Sequence, residues 1–250
     1  MSPRVALITG AGRRNGIAWS IATSLAADGW DIAFSHLGEY DRRMSLGGDP
    51  DRDPAALEAE LHAIGGRALG IDADLADPEV PGRLIDRASA ELGPVGALVL
   101  SHAESVDSGI LDTSVESFDR HFAVNTRAAW LLLRAFAEQV PAGGGRIVAL
   151  TSDHVVGNVP YGASKGALDR IVIAAARELA PHGITANLVN PGPVDTGWMD
   201  DATRAALTSA QPSGRLGTPD DAARLVRFLV SHEARWVTGQ LIMSDGGFSI

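Results

Sequence analysis

Val5-Ala6-Leu7-Ile8-Thr9-Gly10-Ala11-Gly12-Arg13-Arg14-Asn15-Gly16-Ile17-Ala18 is a short apolar run that breaks into a glycine-rich turn and then into a helical pattern. An unbroken apolar run before a polar stop reads as a strand covered on both faces. Glycines at 10, 12 and 16 permit left-handed backbone and close approach, because no Cβ stands in the way. A helix opening directly behind such a turn offers N–H groups without partners and a partial positive charge, which suits a pyrophosphate. The spacing departs from G-x-G-x-x-G, and no Lys-Ser or Lys-Thr pair follows to make a P-loop. Taken alone, the stretch fits an ordinary tight strand–helix turn as well as a phosphate cradle.

Outward from this turn, short apolar runs alternate with longer amphipathic ones, the pattern of a parallel sheet with crossover helices. Strands are predicted at Val5–Thr9, Asp31–Ser35, Arg67–Ile71, Ala97–Leu100, Arg146–Thr151, Thr185–Val189 and Gln240–Met243. Helices are predicted near Gly16–Asp28, Pro54–Ile64, Pro78–Leu92, Val115–Val140, Tyr161–Ala180 and Pro219–Ser231. The expected fold is α/β: a doubly wound parallel sheet of about seven strands with helices on both faces. Leu37 to Asp53, rich in Gly, Asp and Arg, reads as a long loop, of the kind that is usually functional or mobile. No linker divides the chain, so residues 1–250 read as one domain.

Composition narrows the function. Lys and Arg total 21 against 31 Asp and Glu, a formal charge of −10. That balance argues against nucleic acid or an anionic membrane as partner. The absence of cysteine removes disulfides, thiolate metal sites and thiol catalysis, and no metal site is expected. No apolar run approaches the roughly 18–20 residues of a membrane span. The first residues carry too short an apolar stretch for a signal peptide, so a cytoplasmic protein is expected. Glycine is the unusual count, 28 of 250.

Tyr161-Gly162-Ala163-Ser164-Lys165 opens a helix and places Tyr161 and Lys165 on one face, a turn apart. A phenol is a poor acid–base group at neutral pH, but a nearby ammonium favours the phenolate and makes proton exchange with an alcohol or carbonyl feasible. The pattern by itself also fits a half-exposed Tyr beside a surface Lys. Lys165, however, is the only lysine, among twenty arginines. A guanidinium does not replace an ammonium at a point contact.

With these residues in hand the chain resembles the short-chain dehydrogenase/reductase family, including 3-oxoacyl-[acyl-carrier-protein] reductase-like members. The likeness runs through the glycine turn, Val124-Asn125-Thr126, the Tyr161/Lys165 pair and Asn190-Pro191-Gly192-Pro193-Val194-Asp195-Thr196. It continues through Gly214–Asp221, Thr238-Gly239-Gln240 and Asp245-Gly246-Gly247, all in the family's order. The resemblance implies a nicotinamide dinucleotide bound across the carboxyl ends of the strands. Tyr161 would exchange the proton with the substrate oxygen, and Lys165 would lower the phenol pKa and bind the nicotinamide ribose. Ser152 would hold the carbonyl, and Asn125 would support a proton-relaying water chain. The implied cofactor set is Gly10, Gly12, Arg13, Arg14, Gly16 and Ile17 in the turn, His36 after the second strand, Asp74 and Leu75 after the third, and Ser101 after the fourth. Lys165, Pro191, Gly192, Val194 and Thr196 complete it. For Asp74 an N-cap role is the alternative; for Asn125, a helix kink or a strand-bridging amide.

Three departures qualify the match. The glycine turn is long, and its last glycine is replaced by Ala18. The usual Asn-Asn-Ala-Gly after the fourth strand reads Leu100-Ser101-His102-Ala103, where His102 reads as a structural, hydrogen-bonded histidine. The 153–160 loop has only eight residues, which leaves Asp153 or His154 as alternatives to Ser152 beside the substrate. The second strand ends Phe34-Ser35-His36-Leu37 without a carboxylate, so nothing there repels a 2′-phosphate. Arg13, Arg14, Arg42 and Arg43 could pair with that phosphate, which predicts NADP(H) over NAD(H). The expected activity is hydride transfer between the nicotinamide and a ketone or secondary alcohol, a 3-oxoacyl-type or other small carbonyl substrate. The rival from another class is a dinucleotide-binding regulator or scaffold that has lost its chemistry. Helices carrying Trp130–Leu133 and Ile171–Ala176 are apolar nearly all round, which with the family's habit predicts a homo-oligomer, a tetramer or a dimer. The substrate pocket is expected between the 153–160 loop, Glu104–Leu111 and Trp198–Gln211.

Overall fold

The first strand shows why the sheet is buried on both sides: Val5 and Leu7 enter one apolar core, while Ala6 and Ile8 enter the other. This is the period-two alternation of a strand with cover above and below. The computed structural model describes residues 4–44, 48–154 and 156–250. Residues 1–3, residues 45–47 of the predicted long loop and Val155 of the 153–160 loop lie outside the described residues.

In chain order the elements are β1 (Arg4–Thr9), α1 (Ile17–Ala27), β2 (Trp30–His36), α2 (Gly38–Met44), α3 (Asp53–Ile64), β3 (Ala68–Asp72), α4 (Val80–Leu92) and β4 (Val95–Leu100). There follow α5 (Val115–His121), α6 (Ala128–Gln139), β5 (Arg146–Leu150), α7 (Val159–Glu178), β6 (Thr185–Asn190), α8 (Asp201–Ala210), α9 (Pro219–Val230) and β7 (Leu241–Met243). The strands form one sheet in the order β3-β2-β1-β4-β5-β6-β7, every pairing parallel. Leu84 and Ile85 of α4, Leu132 and Phe136 of α6 and Val172 of α7 fill the core on one face. Trp19 and Leu25 of α1, Leu57 and Leu61 of α3, and Val226 and Leu229 of α9 fill the other. The doubly wound sheet expected from the sequence is therefore present.

The order reverses between β1 and β4, where Thr9 lies opposite Leu100. The glycine turn after β1 and the Ser101-His102 corner after β4 consequently emerge side by side at the switch point, the usual ligand crevice of such sheets.

Two predicted segments differ from the observed ones, and a third, whose structure the sequence left open, is helical. Leu37–Asp53 is not a continuous loop: Gly38–Met44 forms α2, and Asp53 already begins α3. The predicted helix Val115–Val140 is interrupted by a π-helical stretch, Phe122–Arg127, between α5 and α6. Within Trp198–Gln211, residues Asp201–Ala210 form α8, capped by the Asp200 carboxylate accepting from the Thr203 N–H. Among the described residues no helix is long and apolar enough to cross a membrane.

Candidate active site

At the crevice the backbone itself is the first structural element. Gly10 has φ +78°, and a Cβ there would lie 2.8 Å from the His102 Cα. Only glycine allows that approach of the β1 turn to the β4 corner. Gly16 caps α1 in an extended conformation and contributes no side-chain bond, so the first-turn N–H groups of α1 keep their donors for another acceptor. Gly192, with φ +63°, closes the other side of the crevice, where a Cβ would meet the Asp245 Cβ at 2.4 Å. A glycine cradle, an uncapped helix N-terminus and the Arg13 guanidinium together fit the anionic backbone of a dinucleotide.

His102 is the pin of this corner. Its Nδ1 lies 2.6 Å from Thr9 Oγ1 and its Nε2 lies 3.1 Å from the Val124 carbonyl. Thr9 Oγ1 also accepts the backbone N–H of Ser101 at 3.1 Å and that of His102 at 3.4 Å. The arrangement assigns the Nε2–H tautomer, with the Thr9 hydroxyl donating to Nδ1. Burial, then the charge of Lys165, lowers the imidazole pKa to about 3, opposed by the bond to Val124. His102 is a neutral structural histidine, as its sequence setting suggested. Ser101 joins the corner through its backbone N–H.

The π-helical stretch carries Asn125, which is buried. Its Oδ1 accepts the Glu104 N–H at 2.7 Å, and its Nδ2 donates to the Glu104 carbonyl and to Ser164 Oγ, both at 2.9 Å. The amide thus clamps the β4 corner to the first turns of α7. Ser164 Oγ in turn donates to the Tyr161 carbonyl at 2.8 Å. A π-bulge turns a side chain out of the regular helical register, and here it directs Asn125 sideways into the crevice wall. Both the functional and the structural readings of Asn125 start from this clamp.

Tyr161 and Lys165 lie on the crevice side of α7, with Lys165 Nζ 5.7 Å from the centre of the phenol ring. Lys165 is buried and donates to the Leu150 carbonyl at the end of β5, at 2.9 Å. Burial lowers its pKa to about 8, opposed by the Asp169 carboxylate. The phenol behaves differently from the sequence expectation. Burial pushes Tyr161 up to about 12, and the opposing influence is a hydrogen bond with Ser152 rather than the ammonium. Ser152 also accepts the His154 N–H at 3.1 Å, while the His154 ring turns back to the Val156 carbonyl. The structure therefore brings together Asn125, Ser152, Tyr161 and Lys165. Asp153 and His154 are exposed.

Two of the three predicted pocket walls meet. Ser108 pairs with Asn158 in a parallel bridge, and Asn158 Nδ2 donates to Asp107 at 2.7 Å, which ties Glu104–Leu111 to the start of α7. Beside it lies a cleft of about 310 Å³ lined by Ile110, Thr113, Ser114, Val115, Phe118 and Val159.

The remaining cofactor candidates take defined places. Ile17 opens α1, Leu75 is buried, and Val194 is buried and bridged to Gly217. Pro191 precedes Gly192, and Thr196 is buried with its carbonyl accepting Arg13 Nη1 at 3.2 Å. His36 ends β2 with Nδ1 unpartnered, 3.7 Å from Asp72, and burial lowers its pKa. Asp74 does not cap α4, whose N-cap is Glu79; it accepts the Ala76 N–H at 2.9 Å and pairs with Arg120 at 3.4 Å.

The four arginines considered for the 2′-phosphate are each engaged with a carboxylate. Arg13 pairs with Asp41, Arg14 with Glu60, Arg42 with Asp51 and Arg43 with Glu104. Sequence reasoning passed over Asp41 and the Glu104 carboxylate. Glu104, almost fully buried, is held between Arg43 of α2 and Arg120 of α5. No local pattern signals either residue, since each acts through a partner remote in sequence.

The family described as Enoyl-(Acyl carrier protein) reductase matches residues 10–249. An uncharacterized oxidoreductase of Bacillus subtilis is 38% identical over 98% of this chain and 96% of its own length. An NADPH-dependent aldehyde reductase-like chloroplastic protein of Arabidopsis thaliana is 36% identical over 99% of this chain and 95% of its own. A crystal structure of a blue fluorescent protein from a metagenomic library, in complex with NADPH, superposes with a TM-score of 0.88. That protein is 33% identical, with 99% of this chain and 98% of the other covered. The chain belongs to the short-chain dehydrogenase/reductase family, oxidoreductases that use a nicotinamide dinucleotide.

Proposed function

We propose that the protein is an NADP(H)-dependent reductase of a ketone or 3-oxoacyl-type carbonyl, with Tyr161 as the proton donor. The observation that carries this reading is the assembly of Asn125, Ser152, Tyr161 and Lys165 around the first turns of α7 and the end of β5. A phenol raised to about 12 is protonated at neutral pH, the state a donor to a developing alkoxide needs. Ser152, whose hydroxyl opposes the upward shift of the phenol, holds the carbonyl oxygen within reach of the same proton. Lys165 supplies positive charge as the phenolate forms and reaches the nicotinamide ribose. Asn125 holds the wall against which the proton relay is ordered. The reduced cofactor, when bound, supplies the hydride. The turn from Gly10 to Ile17, with Arg13, holds its pyrophosphate; Pro191, Gly192, Val194 and Thr196 hold the nicotinamide end; His36, Asp74, Leu75 and Ser101 border the adenosine half.

Two relatives support the phosphorylated cofactor: the Arabidopsis protein is NADPH-dependent by name, and the metagenomic protein carries NADPH. The β2 end, Ser35-His36, bears no carboxylate to repel a 2′-phosphate. Phe118, Trp130 and Ile173 leave apolar surface exposed on α5, α6 and α7, which supports a homo-oligomer.

The test is Tyr161→Phe. Cofactor affinity stays near wild type, while turnover on a ketone panel falls by about 10²–10⁴. Unimpaired turnover in the variant refutes the assignment.

A further inference from the structure

The segment between β2 and α3 does more than connect them. Asp41 of α2 is nearly buried, and its Oδ2 lies 2.6 Å from where a Cβ would stand on Gly12. A carboxylate oxygen is thus seated directly on the backbone of the glycine turn. Its Oδ1 is 3.4 Å from Arg13 Nε, and the same guanidinium donates across the crevice to the Thr196 carbonyl at 3.2 Å. A second carboxylate, Asp53 at the start of α3, accepts the Arg14 backbone N–H at 3.3 Å. The far side of α2 is anchored as well, by Arg43 on the buried Glu104 at 2.5 Å. Two aspartates therefore occupy the cationic and N–H donors with which this turn would receive phosphate oxygens.

We propose that α2 is an internal competitor of the cofactor: Asp41 holds the anion seat on Gly12 and Arg13, and it must leave that seat for the dinucleotide to bind. The proposal rests on the reading of the glycine turn as the phosphate-binding turn, and it holds for either dinucleotide. A carboxylate and a phosphate cannot share the same donors at this distance without strong repulsion. When α2 leaves, the Arg13–Asp41 pair exchanges for an Arg13–phosphate pair, so apparent affinity is reduced by the fraction of molecules with α2 closed. Discrimination among ligands then depends on how well each one displaces Asp41.

The experiment is a fluorescence titration of the full chain with NADPH and, separately, NADH, for wild type and Asp41→Asn. Both dissociation constants tighten about fivefold in the variant, the scale of one partly exposed ion pair. Arg43→Gln, which loosens the other anchor and leaves the glycine turn untouched, tightens NADH binding and serves if Asp41→Asn folds poorly; NADH is the probe for this variant because Arg43 is also a candidate partner of the 2′-phosphate. Hydrogen–deuterium exchange gives a readout that does not depend on affinity: adding NADPH to wild type raises exchange in residues 38–44 while slowing it around the turn. Unchanged constants in both variants overturn the proposal and leave the cofactor reading standing. Weakened NADH binding in Asp41→Asn overturns it too, because Asp41 would then be a ligand of the ribose hydroxyls. Protection of residues 38–44 by NADPH overturns it on independent grounds. Failure of wild type to bind either dinucleotide overturns both this proposal and the reading beneath it.

Discussion

Acidification offers a direct test of the His102 corner. In the unfolded chain the imidazole titrates at its ordinary 6.5, and in the fold burial holds it to about 3. Between those values the unfolded state binds the extra proton. Stability therefore rises with pH across the window and is lost as pH falls from about 6.5 toward 3. Near pH 4 the unfolded imidazole is almost wholly charged and the folded one about one-tenth charged, which costs roughly 3 kcal/mol; at the lower end the loss approaches about 5 kcal/mol. Against a total of about 5–15 kcal/mol for an ordinary domain, one histidine decides a large part of the acid limit. The comparison is His102→Asn, whose amide oxygen can still accept from Thr9 but which leaves the Val124 carbonyl without its partner. At neutral pH the variant is less stable by about 1–3 kcal/mol. Urea unfolding followed by tryptophan fluorescence at stepped pH measures both slopes. The wild type loses stability more steeply than the variant, and the two curves converge or cross near pH 4. Parallel curves down to that pH would refute the argument, since the carboxylates common to both proteins would then account for the whole slope.

Two further outcomes follow from the same geometry. With Lys165 at about 8, its charge is present below that pH and lost above it, so kcat/KM for carbonyl reduction declines as pH rises through about 8; a profile flat to about pH 10 removes Lys165 from the proton-donating step. Asn125→Ala deletes three hydrogen bonds and leaves the Glu104 N–H and carbonyl without partners, so the thermal midpoint falls by roughly 5–15 °C in differential scanning fluorimetry. An unchanged midpoint shows that the clamp between the β4 corner and α7 contributes nothing to stability.

What could be read from the sequence depended on whether its cause was local. β1, β4 and β5 are nearly continuous Val, Ile, Leu and Ala, and α9 has both a Thr218/Asp221 capping box and Pro219 at its start. Each is a signal written in neighbouring residues, and each element was placed within a few positions. α2 has no such signal. Gly-Glu-Tyr-Asp-Arg-Arg-Met carries no apolar periodicity, and its anchors, Arg13 and Glu104, are distant in sequence. α8 presents its Asp200 cap openly but buries no side chain, so hydrophobic patterning passes over it. The π-helical stretch around Asn125 has ordinary helical composition, and only the side-chain clamp distinguishes it. The Tyr161–Lys165 spacing was readable, but the direction of the phenol's pKa was not. Burial, a property of the assembled crevice, sets it, and the Ser152 hydroxyl rather than the ammonium opposes it.

The same distinction bears on the acidic balance of the chain. A net charge of −10 and a polyanionic cofactor require local positive charge, and Arg13 and Arg14 stand in the glycine turn proposed to receive that cofactor. Yet Arg13, Arg14, Arg42 and Arg43 are each paired with a carboxylate of the chain. On the proposed placement of the cofactor, binding exchanges one anion for another around a guanidinium already held in place, and its free energy is the difference between those pairs rather than the full attraction of a bare arginine. Such a crevice gains preorganisation, because Arg13 is fixed between α2 and Thr196 before any ligand arrives. It loses raw affinity in the same measure. Selectivity among phosphorylated ligands then rests with the carboxylates that must give way, and Asp41 is the one seated on the glycine backbone.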